Sequence, residues 1–140
     1  MKNKVLFIFI LIFYFISSLA IFIVPLPNIV NISQYEAGII VAIIFWSGFA
    51  IGSILSIVFL ILNKDKAILY KGNALFRYFT NLPSKINDSI LIFSLLMIIC
   101  STYLNINYWI LVVIGFLFIL TMEFHFIFNG KIYIYLKSEK

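Results

Sequence analysis

The chain is short of almost everything that soluble chemistry is built from. It has one cysteine, Cys100, which excludes a disulfide framework and any membrane redox centre that works through paired thiols. It has one histidine, so the usual His and Cys metal clusters cannot be assembled. No glycine-rich phosphate loop is present, and no nucleophile stands beside a base. Charged residues make up 11% of the 140, against about 25% in a soluble domain. Low charge together with 64% hydrophobic residues excludes both a water-soluble globule and a disordered chain. No catalytic, cofactor-binding or metal-binding residue is indicated, and the expectation is a protein that is not an enzyme and carries no cofactor.

What the chain has instead is long apolar runs. A helix crosses the hydrocarbon layer with about 20 apolar residues, because the layer is about 30 Å thick and the rise is about 1.5 Å per residue. Four runs reach or approach that length: Val5 to Val24, Ala37 to Leu62, Ser89 to Leu104 and Tyr108 to Phe128. Their apolar residues do not alternate with polar ones, which excludes a barrel and leaves helices. The predicted fold is therefore all-α: one integral-membrane domain over residues 1–140, a four-helix bundle made of two helical hairpins. Codons for Ile, Phe, Asn, Lys and Tyr are rich in A and T, and their abundance points to a low-GC bacterial genome. The excess of Ile over Leu is thus no sign of strands.

Boundary residues fit this partition. Pro25 and Pro27 stop the first run, since proline cannot continue a helix. Ser33-Gln-Tyr-Glu36 reads as a capping box ahead of the second. The three residues Asn105 to Asn107 suffice only for a tight turn. A rival reading treats the first run as a signal peptide, cleaved after the small-residue pattern Ser18-Leu-Ala20.

The ten basic residues carry the orientation. Lys2 and Lys4 precede the first run, Lys64 to Lys85 lie between the second and third, and Lys131, Lys137 and Lys140 follow the fourth. The two remaining loops contain none. Positive residues collect on the cytoplasmic side, so both termini are expected in the cytoplasm of a cell-membrane protein. Tyr35, Tyr103, Tyr108 and Trp109 would then form an outer aromatic belt. The net charge of +5 follows from this sorting and is no nucleic-acid signal. Between the second and third runs, residues 63–88 suit a basic amphipathic helix lying in the interface, with Lys66, Lys71 and Arg77 toward anionic lipid or a partner.

Three features are candidates for more than spanning. Gly48, Gly52 and Ser56 recur every four residues, a pattern that lets helix backbones approach. They serve either internal packing or a homo-oligomer contact. Trp46 is expected to fill the core. Glu123 and His125 are ionisable groups inside a span, and such groups are functional candidates by default. Glu123 stands about 22 Å along its helix from Tyr108, in the inner third of the bilayer. Two residues apart on a helix, the pair points to nearly opposite faces. They act either as proton- or cation-responsive groups, or by snorkelling to the inner interface or bonding a neighbouring helix. Asn129-Gly130 between strand-forming flanks leaves a second option, a short C-terminal β-hairpin over residues 123–137.

The functional expectation is a small multi-pass accessory or interaction protein, of the kind that confers immunity or serves as an assembly subunit. Its partners would be the lipid bilayer and a membrane protein or further copies of itself. A small oligomeric transporter or pore is the alternative.

Overall fold

The computed structural model describes residues 2–62 and 82–128. Four α-helices and no strand occur among the described residues: α1 (Lys2–Leu19), α2 (Gln34–Leu62), α3 (Leu82–Cys100) and α4 (Tyr108–Phe128). Three stretches are long and apolar enough to cross a membrane, Lys4–Asn28, Gln34–Leu62 and Tyr108–His125. Lys66, Lys71 and Arg77, with most of the expected interfacial helix, lie outside the described residues, as does the tail from 129 onward. Residues 82–88 do not belong to a connector. They form the first two turns of α3, with Pro83 in the first turn, where its missing N–H costs nothing.

Each helix end has a local cause. An α-helix through Pro25 would need its N–H for the carbonyl of Ile21, and proline has none. The chain tightens instead into a 3₁₀ turn over Ala20–Ile23, and Val24 N donates to that Ile21 oxygen at 3.2 Å. A second 3₁₀ turn, Leu26–Asn28, completes the link to α2. At the start of α2 both bonds of the capping box form: Ser33 N donates to Glu36 Oε2 at 2.8 Å, and Glu36 N donates to Ser33 Oγ at 3.1 Å. At the start of α4 the Asn107 side chain accepts from Trp109 N at 2.9 Å and caps the first turn.

α4 stays helical through Phe128, which corrects the hairpin option, since its first strand would need residues 123–128 extended. The physical reason lies in the bonds of this stretch. A strand would put Glu123 and His125 on one face, whereas the helix turns them to different neighbours. The Asn129-Gly130 turn and the second flank lie outside the described residues.

The helices pack in the order α2, α1, α4, α3, with α1 and α4 in the middle. α1 runs antiparallel to α2, because Gly48 meets Ser17, Gly52 meets Tyr14, and Phe59 joins Ile10 in the buried cluster. It also runs antiparallel to α4, because Ser17 bonds Glu123 whereas the Phe22 ring meets that of Phe116 at a tilt, with centroids 5.2 Å apart. The two short links, 20–33 and 101–107, consequently share one end of the structure. Lys4, Leu62, Lys85 and His125 mark the other.

A helix that packs on a single neighbour leaves most of its circumference free, and α2 does so on α1. Trp46 is accordingly 63% exposed. It does not fill the core as expected. It stacks edge-on against Phe45 and Phe49, at 5.3 Å and 6.3 Å, along the outward face.

Candidate functional site

Buried polar side chains must find one another, and in this chain they do so along the two seams of α4. The segment Thr121 to His125 supplies one turn that faces both ways. Thr121 and His125 are four residues apart and share a face; Glu123 falls between them on the opposite side.

On the α3 side, His125 Nδ1 pairs with Asp88 Oδ1 at 2.8 Å. Asn87 Nδ2 donates to the Thr121 carbonyl at 2.8 Å and to Asp88 Oδ1 at 3.3 Å. Asn87 and Asp88 are both buried. The Thr121 hydroxyl turns back onto its own helix and donates to the Leu117 carbonyl at 2.6 Å. That bond satisfies the hydroxyl within the helix and leaves Thr121 O for Asn87.

On the α1 side, Glu123 is 2% exposed and its Oε1 pairs with Ser17 Oγ. Ser17 Oγ also donates to the Tyr14 carbonyl at 2.9 Å. The second carboxyl oxygen, Oε2, is buried and meets no hydrogen-bond partner among the described residues. Tyr14 sends its ring toward Gly52 and its hydroxyl to Ser53 Oγ at 3.4 Å. Ser18, beside Ser17, is fully buried and donates to the Phe15 carbonyl at 2.8 Å.

Glu123 and His125 therefore do not form one site. The structure sends the first to α1 and the second to α3. Gly48 and Gly52 lie buried against α1. An added Cβ at Gly48 would stand 2.8 Å from the Phe13 carbonyl, and one at Gly52 would stand 2.8 Å from the Tyr14 ring. Their close approach is internal, so the same face is not available to a second copy. Ser56 bonds the Gly52 carbonyl at 2.8 Å, inside its own helix.

Sequence reasoning missed Ser17, Asn87 and Asp88 as partners. A signal for them existed. Serines, amides and acids near a span generally face protein and not lipid. Pairing Ser17 with a residue 106 positions away was beyond any local pattern. Among the described residues no three His, Cys, Asp or Glu side chains gather as a metal site would require.

At the opposite end, a half-open cleft of about 350 Å³ lies between the first link, α2 and the start of α4, lined by Val24, Asn28, Gln34, Gly38 and Tyr108, among others. It offers amide and phenol groups over an apolar wall, without a charge among those five. Tyr35, Tyr103 and Trp109 stand exposed at this end as well.

No family model, curated protein or solved structure matches this chain.

Proposed function

We propose that the protein is a multi-pass cell-membrane subunit that works by binding another membrane protein and not by catalysis, in the manner of an immunity or assembly factor. All four helices cross the bilayer in this reading. Both termini and residues 63–81 face the cytoplasm, and the two short links face outside. Support comes from the ten basic residues, which fall only in the first turn of α1, between α2 and α3 or early in α3, and after α4. The antiparallel packing of α1 with α2 and with α4 agrees with alternating crossings.

One observation carries the interaction role: Trp46 on the outward face of α2. Tryptophan in membrane helices favours the two interfaces, where its N–H stays wet. Trp46 lies about 18 Å from the start of α2 and about 24 Å from its end, near mid-membrane. Placed there among Phe45 and Phe49, 63% exposed, it is a rigid aromatic anchor that lipid does not require. The occupant that fits is an apolar helix of a second membrane protein.

A photo-reactive residue in place of Trp46 tests this in native membranes. The expected result is one discrete adduct with a second membrane protein, absent when the group replaces the buried Phe59. Adducts to lipid alone, or identical profiles at both positions, would overturn the role. Single cysteines at Asn31 and Asn105 should react with an impermeant reagent in intact cells, whereas one at Lys85 should not. The transporter reading rests on Glu123 alone, because α1 takes up the glycine face that an oligomer would need; flux through liposomes that Glu123→Gln abolishes would favour it.

A further inference from the structure

The hydrogen bonds around Glu123 count one proton more than ionised side chains supply. Ser17 Oγ has a single proton and two acceptors in range, the Tyr14 carbonyl oxygen at 2.9 Å and Glu123 Oε1. Both Ser17 and Glu123 are buried, and Oε2 has no partner among the described residues. If Glu123 were a carboxylate, the single Ser17 proton would have to be divided between the Tyr14 carbonyl and the carboxylate, weakening both bonds, and Oε2 would be a bare anionic oxygen away from water. A buried charge without donors is among the most expensive arrangements in a protein.

The neighbouring helices offer no rescue. Beyond Lys4, α1 holds no acid or base; beyond Glu36, neither does α2. Tyr14 directs its hydroxyl at Ser53. On α3 the charged groups are Lys85 and Asp88. Lys85 is exposed, and Asp88 pairs with His125 across the other face of α4.

A carboxylic acid resolves every bond at once. Oε1–H donates to Ser17 Oγ, Ser17 donates to the Tyr14 carbonyl, and Oε2 becomes a neutral carbonyl oxygen, a far weaker acceptor to leave unmet. We propose that Glu123 is a proton-binding site in the α1–α4 seam, heading a hydrogen-bonded chain from its own hydroxyl through Ser17 to the Tyr14 backbone. The proton is the one ligand that needs no cavity. Release of that proton leaves a carboxylate that, among the described residues, has only the Ser17 hydroxyl as a donor, drawn from the Tyr14 carbonyl, with Oε2 unmet. The proton site stands whether or not α2 binds a partner.

Infrared difference spectroscopy of the protein in lipid vesicles, wild type minus Glu123→Gln, reads the proton directly. The expected difference is a carboxylic acid C=O band present in the wild type, lost in the variant, and shifted down when the sample is opened in D₂O. Ser17→Ala should move the band to higher frequency, because the acid then loses its acceptor. Glutamate carrying ¹³C in the unsubstituted chain gives the same identification should the glutamine variant fold poorly. A wild-type spectrum with no acid band, and a difference confined to carboxylate stretches, would overturn the proposal.

Discussion

Adding one methyl group at Gly48 is the sharpest test of the packing. Its Cβ would lie 2.8 Å from the Phe13 carbonyl oxygen, 2.9 Å from Ser17 N and 2.9 Å from Ser17 Cβ. Two of those three atoms are backbone, so no rotamer change relieves them. Ordinary contact begins near 3.4 Å, and α1 and α2 must separate by about 0.6 Å. A gap of that size forfeits about a quarter to a half of each dispersion contact along the seam. Overpacking of this kind costs about 1–3 kcal/mol, or about 5- to 150-fold in the unfolding equilibrium. The other glycines provide the scale. At Gly52 the obstacle is the Tyr14 ring, which is itself held beside Phe49 at 6.0 Å, so an intermediate cost is expected. At Gly115 it is the tip of Ile21, which rotates away cheaply. At Gly38 nothing lies within 4 Å, and alanine should be neutral or stabilising. Reversible unfolding in mixed micelles, followed by helicity, should rank the alanine variants Gly48 worst, then Gly52, then Gly115 and Gly38. A Gly48→Ala protein as stable as Gly38→Ala would refute the close α1–α2 approach and the helix order built on it.

Further outcomes follow from the polar contacts. A double-mutant cycle with Asp88→Asn and His125→Gln should return a coupling of about 0.5–3 kcal/mol, since the two side chains touch across α3 and α4; additive effects would show that they do not cooperate. Ser33→Ala should cost about 1 kcal/mol through loss of the cap, seen as faster amide exchange in the first turn of α2 and not in α4. Trp46→Leu should leave the unfolding free energy within about 0.5 kcal/mol, because the ring is outside the bundle; a large stability loss would return Trp46 to the core.

The glycine row shows how far a linear pattern reaches. Spacing of four placed Gly48, Gly52 and Ser56 on one face, and the helix fixes that geometry. Which neighbour that face meets was left between α1 and another chain, because both would select the same residues. The Trp46 expectation failed for a related reason. A span that is apolar all round has no periodicity from which to read its inward side, so mid-helix position says nothing about direction.

Sequence alone determined the apolar helices, their ends at Pro25, Ser33 and Asn107, and the opposite facing of Glu123 and His125, because each depends on chain-local geometry and on the solvation of backbone groups. Tertiary structure decided the order α2, α1, α4, α3, the outward turn of Trp46, and the pairing of Glu123 with Ser17 and of His125 with Asp88. Those outcomes depend on which surfaces come into contact, and contact between residues 37 or 106 positions apart is set by the packing of whole helices, to which no local spacing is sensitive.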